Sequence, residues 1–426
     1  MTSPRRFEQD LPALLADLYV AGTPDYRDDI VQRIGRVRQR PAWTFPERWI
    51  PMDVLMRAAP TRSLPWRQLG VLALLALLIA AVLAFYVGSQ RRVPPPFGPA
   101  RNGQIVYGQD GDIFARSSFE SSPRLIVSGD PRDVSPQFSR QGDQFIFLRR
   151  VTTTTGEVLV SSPDGSRVRQ LAGPLDSQDA WDWSPSGRLI VIGWDGDSKM
   201  SIIPTDGSTP TSFDVGLPAQ RPTWRPPADG QLMFRAVDKS GRSGLYLVKP
   251  DGTDVQRLDL AGSDLAPDHD FNHGVSWSPD GRFLAYEILE PNPRSPNTMG
   301  LRIHVAELDP AGKVIADRGL EFDEEADDEL NPGWLPTGDR LIFQTREGTS
   351  DYLGIAAADG SRSVVSVGPK SNNGGGIGYE IAPDGRSLLV LFWLEKTSWR
   401  YDLDTQVATP GDIGPDDVAT YQRLAP

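Results

Sequence analysis

The chain of 426 residues contains no cysteine and only three histidines. Without cysteine it can form no disulfide bond, thiol nucleophile or cysteine-ligated zinc site, which suits a domain exported to an oxidising compartment. No Gly-x-Ser-x-Gly elbow, His-Glu-x-x-His pair or Gly-rich phosphate loop with lysine occurs in the sequence. These absences predict a protein that is not an enzyme and that uses no cofactor and no bound metal.

The net charge of −12 is divided unevenly along the chain. Residues 1–92 hold 13 arginines and 8 acidic residues, or +5, so the remaining residues sum to −17. A domain this acidic repels phosphate groups, because nucleic-acid affinity depends on neutralising cations. The composition therefore predicts that no nucleic acid is a partner. Lysine is scarce, with 6 against 38 arginines, a bias typical of GC-rich bacterial genomes.

One long apolar run interrupts the N-terminal part of the chain. Leu69–Val87 contains nineteen residues and no charge, and as a helix it would extend about 28 Å, close to the thickness of a bilayer core. The run begins too far along the chain for a cleaved signal peptide. It predicts a transmembrane helix over residues 67–90, with a buried core helix as the alternative.

The arginines predict the direction in which this helix crosses the membrane. Ten arginines precede it within residues 1–66, whereas few follow it, so the positive-inside tendency places the N-terminus in the cytoplasm. We therefore expect a single-pass protein of a bacterial cell membrane, with its C-terminal bulk extracytoplasmic and the lipid bilayer as a partner.

Residues 1–66 predict a short cytoplasmic helical region. Two sets of apolar residues recur at helical spacing, and arginines accompany the second set. Such short helices bury little core, so we expect them to dock on a cytoplasmic protein or to lie on anionic lipid. The two sets are Leu11, Leu14, Leu15, Leu18 and Tyr26, Ile30, Ile34, Val37.

Beyond a proline-rich linker over residues 91–101, one theme recurs six times. An aromatic or apolar residue precedes a turn rich in Ser, Pro, Asp and Gly, and an apolar strand follows. Proline presets φ for a tight turn and glycine accepts positive φ, so the theme predicts a turn between two antiparallel strands. The residues before the turns are Phe138, Trp183, Trp224, Trp277, Trp334 and Ile381, at spacings of 45, 41, 53, 57 and 47 residues.

Periods of this length are typical of four-stranded propeller blades. The C-terminal residues 421–426 read as the first strand of a further repeat, with Leu424 in register with Ile381. Residues 102–107 read as the second strand of the same repeat, so the two ends would close a seventh blade and leave no open sheet edge there. Six blades with terminal appendages remain the alternative.

The Trp-Ser-Pro-Asp-Gly theme, clearest at 277–281, resembles the repeats of TolB-like β-propellers and, more loosely, WD40-like propellers. The resemblance covers residues 102–426 and implies an all-β propeller. It implies little about function, because propellers include enzymes, receptors and scaffolds. The tryptophans are expected to pack between blades, and turn residues such as Asp280 and Asp384 to serve the turns.

Two stretches within the propeller carry ligand-type side chains. Asp268, His269, Asp270 and His273 lie in a long insertion and are candidate ligand-binding residues, with a solvated loop as the alternative. The acidic run 321–329 could attract calcium but lacks EF-hand spacing, which favours a solvated loop. His304 lies in an alternating strand and is expected to be structural.

Together these features favour a membrane-anchored extracytoplasmic propeller that serves as a binding, scaffold or sensor protein. Its partner would be a protein or a glycan, and residues 1–66 could relay binding to the cytoplasm. The alternatives are a propeller enzyme, a lyase or hydrolase acting on envelope or extracellular polymers, and a purely structural envelope scaffold.

Overall fold

The structure is a computed structural model. It describes residues 70, 72–79, 96–176, 180–193, 197–260, 274–292, 295–320, 326–359, 365–372, 376–414, 416 and 418–425, to which all structural statements below refer. The chain divides into two compact units, residues 1–90 and residues 91–426.

In the first unit, residues 72–79 are helical. Their large apolar side chains, from Leu72 to Ile79, are 51–69% exposed. No helix within the described residues is both long enough and apolar enough to cross a membrane. The predicted transmembrane helix over 67–90 is thus not supported by this structure, and most of that range and all of residues 1–66 lie outside the described residues.

In the second unit, the described residues form 28 strands in seven four-stranded antiparallel sheets, the blades of one propeller. Blade 1 contains β4 (Asp133–Phe138), β5 (Phe145–Arg150), β6 (Thr155–Ser161) and β7 (Val168–Asp176). Blade 2 contains β8 (Ala180–Trp183), β9 (Leu189–Gly193), β10 (Lys199–Pro204) and β11 (Thr211–Asp214). Blade 3 contains β12 (Ala219–Trp224), β13 (Leu232–Val237), β14 (Ser243–Val248) and β15 (Gln256–Arg257). Blade 4 contains β16 (Val275–Trp277), β17 (Phe283–Asn292), β18 (Ser295–Leu308) and β19 (Val314–Gly319). Blade 5 contains β20 (Asp328–Trp334), β21 (Arg340–Glu347), β22 (Ser350–Ala357) and β23 (Val365–Ser371). Blade 6 contains β24 (Ile377–Ile381), β25 (Ser387–Phe392), β26 (Thr397–Asp402) and β27 (Ala408–Gly411). Blade 7 contains β28 (Ala419–Leu424), β1 (Arg101–Gln109), β2 (Asp112–Arg116) and β3 (Arg124–Val127).

Blade 7 joins the first and last strands of the propeller, so the seven-bladed prediction is confirmed and the six-bladed alternative is wrong. β28 pairs antiparallel with β1, with Tyr421 opposite Ile105. The expected register was off by three residues. The backbone N–H of Tyr421 contacts Glu380 of blade 6 as that of Trp224 contacts Asp182 of blade 2, so Tyr421 and not Leu424 occupies the position before the turn.

The core of the propeller consists of seven apolar clusters, each shared by two neighbouring blades. Trp183 of blade 2 packs with Ile146 of blade 1, and Trp334 of blade 5 packs with Ile303 of blade 4. Trp224 and Trp277 occupy the same place in blades 3 and 4. All four tryptophans are buried, which confirms the predicted packing between blades.

The recurrent turns join the first and second strands of the blades and define one end of the ring, here called the turn end. Gly281 adopts φ +68°, and a Cβ added to it would lie 1.9 Å from the carbonyl oxygen of Pro226 in the preceding blade. Asp280 accepts hydrogen bonds from the Ser278 hydroxyl (2.6 Å) and the Arg282 N–H (3.1 Å), so it serves the turn as predicted. The opposite end, the loop end, carries the hairpins between second and third strands and the connections between blades.

Candidate functional site

The first strands lie at the centre of the ring, where β28 contacts β4, β8 contacts β12, and β16 contacts β20. In each first strand, the residue that precedes the aromatic or apolar side chain before the turn is polar in six of the seven blades. These residues form hydrogen bonds from blade to blade: Asp182 accepts from the Thr223 hydroxyl at 2.7 Å and from the Trp224 N–H at 2.9 Å. The full set is Gln137, Asp182, Thr223, Ser276, Gly333, Glu380 and Thr420.

Two carboxyl groups of this set are enclosed on opposite sides of the ring. Burial raises the pKa of Glu380 to about 7, although hydrogen bonds and the positive charge of Arg140 oppose the shift. Burial likewise raises the pKa of Asp182 above its usual range. The centre of the ring therefore contains one carboxyl group, that of Glu380, that can exchange a proton near neutral pH.

Toward the loop end, three first strands share an unusual backbone conformation. Ser135, Arg221 and Asn331 have φ of +54°, +48° and +52°, and each precedes a proline. The register with the second strand shifts at these points in blades 1, 3 and 5. Non-glycine residues at positive φ are strained, and such strain is concentrated at functional sites. The Ser-Pro-Gln-Phe, Arg-Pro-Thr-Trp and Asn-Pro-Gly-Trp sequences carried this signal, which the sequence analysis missed.

Asn331 is fixed on both sides by neighbouring blades. Its N–H donates to Glu287 Oε1 of blade 4 at 2.6 Å, and its carbonyl accepts from the Tyr379 hydroxyl of blade 6 at 2.5 Å. Its side-chain amide donates to Gln344 Oε1 at 3.1 Å. The strained residue thus ties three consecutive blades together beside the centre of the ring.

Glu287 is the buried acid of this group, with 8% of its surface exposed. Burial raises its pKa to about 7; Arg221 and Arg235 of blade 3 act in the opposite direction, and Asp328 adds to the rise. Arg221, Arg235, Glu287, Asn331 and Tyr379 come from four consecutive blades and are called the loop-end cluster. They combine two cations, an acid poised near neutral pH, an amide and a phenol.

The described part of the acidic run does not form the expected solvated loop. Asp328 accepts a hydrogen bond from the Leu301 N–H at 2.9 Å, and Asp327 accepts from the Gly348 N–H at 2.7 Å. Glu329 is fully buried. These carboxylates bond to backbone amides of blades 4 and 5, because strand edges leave N–H groups that need an acceptor. Residues 321–325 lie outside the described residues.

The candidate ligand-binding residues Asp268, His269, Asp270 and His273 also lie outside the described residues, so their prediction stays open. His304 is buried in β18, where Nε2 lies 3.1 Å from Glu290 Oε1, in agreement with a structural role. Within the part of the chain that the structure describes, no three His, Asp or Glu side chains are placed to hold a metal ion.

The fold is shared with proteins of diverse function. A prolyl endopeptidase structure matches with a TM-score of 0.52 and 12% identity over 74% of this chain and 50% of that one, so the chain spans half its length. TolB from Acinetobacter baumannii matches with a TM-score of 0.43 and 13% identity over 76% and 81% of the two chains. A dihydro-heme d1 dehydrogenase matches with a TM-score of 0.45 and 15% identity over 76% of each chain.

No protein-family model and no curated protein sequence matches the chain. The sheet topology of the described strands establishes the fold, a seven-bladed β-propeller, and TolB is among its structural neighbours. The structural matches also correct one prediction. The absence of familiar motifs predicts a protein that is not an enzyme, but propellers of this architecture occur in enzymes such as the prolyl endopeptidase. That prediction was wrong as an inference from fold and motifs.

Proposed function

We propose that the propeller binds an extracytoplasmic protein or glycan at its loop end. The observation that supports this proposal is the loop-end cluster, in which charged and hydrogen-bonding side chains of four blades meet beside strained backbone. Arginine and tyrosine are enriched in binding hot spots, because they combine large contact area with directional hydrogen bonds. The turn end is less suited to bind a partner, because its glycines pack against the turns of the preceding blades.

Blade 4 adds surface next to this cluster. Its β17–β18 hairpin has ten register pairs, whereas the next longest hairpin among the described strands, β21–β22, has eight. Met299 near its tip is 53% exposed, and Glu287 lies on the same hairpin. A flexible apolar side chain on a projecting hairpin is suited to contact a partner.

The proposal includes a membrane anchor over residues 67–90 of a bacterial cell membrane, with the N-terminus cytoplasmic. Its support is the uncharged run in the sequence and the apolar side chains exposed along residues 72–79. A helix that is apolar on all sides requires burial in protein or lipid. Residues 1–66 would then contact a cytoplasmic protein or lipid and relay binding inward.

Affinity capture of the full-length chain from detergent-solubilised membranes, read by mass spectrometry, tests the binding site. We expect Arg221→Glu to abolish recovery of the partner, because it reverses a charge of the loop-end cluster. Arg188→Glu is the matched control, since Arg188 lies at the turn end, paired with Asp143 at 2.9 Å. The loop-end site is contradicted if both variants reduce recovery of the partner equally, or if neither variant changes it.

The absence of cysteine makes the orientation directly testable. Single-cysteine variants Thr154→Cys, in an exposed turn of the propeller, and Ser3→Cys are treated in intact cells with a membrane-impermeant maleimide. We expect labelling at position 154 before permeabilisation and at position 3 only afterwards. The reverse pattern, or labelling of both in intact cells, contradicts the proposed topology.

A second candidate function is a lyase or hydrolase acting on envelope or extracellular polymers. The observation that favours it is the pKa of about 7 at both Glu287 and Glu380, the range suited to general acid–base catalysis. A screen of the full-length protein against glycans and peptides tests it. Turnover that Glu287→Gln or Glu380→Gln abolishes would establish this function, and turnover that survives in both variants would exclude these two groups.

A further inference from the structure

Residues 96–100, here called the strap, cross the turn end of three consecutive blades. The Ala100 N–H donates to the carbonyl of Pro383 in the blade 6 turn at 2.8 Å. The Arg423 guanidinium of blade 7 donates to the Gly98 carbonyl at 2.6 Å. These two hydrogen bonds hold the strap on blades 6 and 7, and an aromatic contact holds it on blade 1.

The turns of blades 1 and 7 carry an arginine at a position where the other turns carry a proline. This position is the second after the aromatic or apolar residue that precedes each turn. Arg140 of blade 1 lies with its guanidinium over the Phe97 ring, 5.1 Å from the ring centre, and Arg423 of blade 7 binds the Gly98 carbonyl. The prolines of the other turns are Pro185, Pro226, Pro279, Pro336 and Pro383. The two exceptions to the repeat therefore both contact the strap, which indicates that the strap has a specific place on these blades.

The strap leads into a turn of blade 7 that is divided between two segments of the chain. A short turn joins the first and second strands in blades 1 to 6, whereas blade 7 takes β28 and β1 from distant parts of the chain. The Asp384 N–H of blade 6 donates to Asn102 Oδ1 at 3.0 Å, as the Ser186 N–H of blade 2 donates to Asp229 Oδ1 in the blade 3 turn at 2.8 Å. Asn102 and Asp229 are each followed by a glycine. Blade 7 thus makes the same contact with the preceding blade as a continuous turn makes.

A divided turn holds its two strands less firmly than a continuous one. When the first and second strands of another blade separate, the turn keeps them close, and they pair again at a small entropic cost. The strap residue Gly98 and the β28 residue Arg423 are 325 positions apart in the chain. Noncovalent contacts must therefore do the work of the turn, and they include the Gln422 side chain, which donates to the Gly142 carbonyl of blade 1 at 2.7 Å.

We propose that the strap is a clasp for blade 7, which holds the divided turn together and whose release opens the ring between β28 and β1 before any other blade. The chain segment that precedes the propeller continues directly into the strap, so a displacement of that segment is transmitted to this one blade. The clasp gives the ring a defined point of opening, whatever partner the loop end binds.

Hydrogen–deuterium exchange of the full-length chain in detergent, read by mass spectrometry, tests the clasp. Phe97→Ala alters the strap alone, and Arg140→Met removes the charge that lies over Phe97. We expect each variant to accelerate exchange of the β28 and β1 amides by roughly fivefold, the effect of losing one cation–π contact. Arg282→Met is the matched control, because Arg282 is a turn-end arginine of blade 4 that pairs with Glu307 at 2.5 Å, and it should leave β28 and β1 unchanged.

Asn102→Ala and Asp229→Ala compare the same contact in a divided and in a continuous turn. We expect Asn102→Ala to accelerate exchange in β28 and β1, whereas Asp229→Ala should leave β12 and β13 within about twofold of the wild type, because their turn still joins them. The clasp is contradicted if the strap amides exchange faster in Phe97→Ala while those of β28 and β1 do not, or if no variant changes them. Equal acceleration in the first strands of blades 3 and 7 by the two turn variants, or in all blades by Phe97→Ala, would contradict it as well.

Discussion

At the scale of single residues, Glu287 joins fold and candidate function most closely. Its carboxyl group is buried among blades 3, 4 and 5 and bonds to the strained Asn331. Retaining an acid there costs stability at neutral pH, because burial penalises the charged form. Residues that bind or react are commonly retained at such a cost, which agrees with a functional loop-end cluster.

Glu287→Gln tests this cost. The folded-state pKa is raised from 4.5 to about 7, so between these values the folded protein binds more protons than the unfolded chain. Stability from this group therefore falls as pH rises through that window. We expect the variant to gain about 2–3 kcal/mol over the wild type at pH 8 and little at pH 5.

Urea unfolding of the full-length protein at the two pH values measures this difference. Glu120→Gln is the control, because Glu120 is exposed and contributes only a surface pair with Arg400 at 3.0 Å. A Glu287→Gln variant that is less stable than the wild type at pH 8 would show that the carboxylate is a net stabiliser of the fold.

The role of Glu287 could not be predicted from the sequence, whereas the packing of Trp277 between blades could. Trp277 occupies a position that recurs in six repeats, and periodicity alone predicts that such a residue packs between blades. Glu287 depends on Asn331, 44 residues further along the chain, and on Arg221 of another blade. No local pattern encodes those distances, because the ring brings the groups together only after it closes.

At the scale of elements, the turn between first and second strands also locks each blade to its neighbour. The turn glycine needs positive φ, which local turn chemistry explains. At Gly281 the absence of a side chain has a second cause, because a Cβ would overlap the carbonyl oxygen of Pro226 in the preceding blade. The repeated turn sequence therefore serves both as a turn and as a contact between blades. The sequence predicted only its role as a turn.

Gly281→Ala and Gly216→Ala separate the two roles. Both glycines have similar φ, +68° and +71°, but a Cβ at Gly216 meets nothing within 4 Å. We expect Gly216→Ala to cost about 1 kcal/mol from backbone strain alone. Gly281→Ala adds a steric overlap with fixed backbone and should cost at least about 3 kcal/mol. Thermal unfolding measures both, and equal costs would show that the blade contact yields freely.

The three proline-linked bulges are the elements that sequence reasoning could have found. Ser135, Arg221 and Asn331 each precede a proline within three residues of the aromatic, in alternate blades. A residue before proline is already restricted, so positive φ there requires support from neighbours. The pattern would have indicated the loop-end cluster, although not which side chains of other blades complete it.

At the scale of the whole molecule, closure of the ring was predicted from its two ends, although with the wrong register. The repeat period located β28 near residues 421–426, but spacings that vary from 41 to 57 residues do not fix the register of a strand to within three residues. The register is fixed instead by contacts of the folded ring, such as the Tyr421 N–H on Glu380. Local sequence patterns do not predict long-range strand pairing of this kind.

Truncation of the C-terminus tests how far stability depends on this closure. A chain ending at Val418 lacks β28, which exposes the edge of β1 and the cluster in which Tyr421 packs with Ile105 and Leu389. We expect loss of a single cooperative unfolding transition and aggregation through the open edge, since unpaired strand edges pair with other chains.

A chain ending at Leu424 is the matched control, because it retains all of β28 and should unfold like the full chain. Each blade shares its core with both neighbours, so removing one strand leaves two blades with incomplete cores and cannot remain a local defect. If the chain ending at Val418 keeps one cooperative transition within 2–4 °C of the full chain, a shift worth about 1 kcal/mol, the closure of blade 7 by β28 contributes little. Stability would then come from the six continuous blades, and the pairing of β28 with β1 would have no role in holding the ring closed.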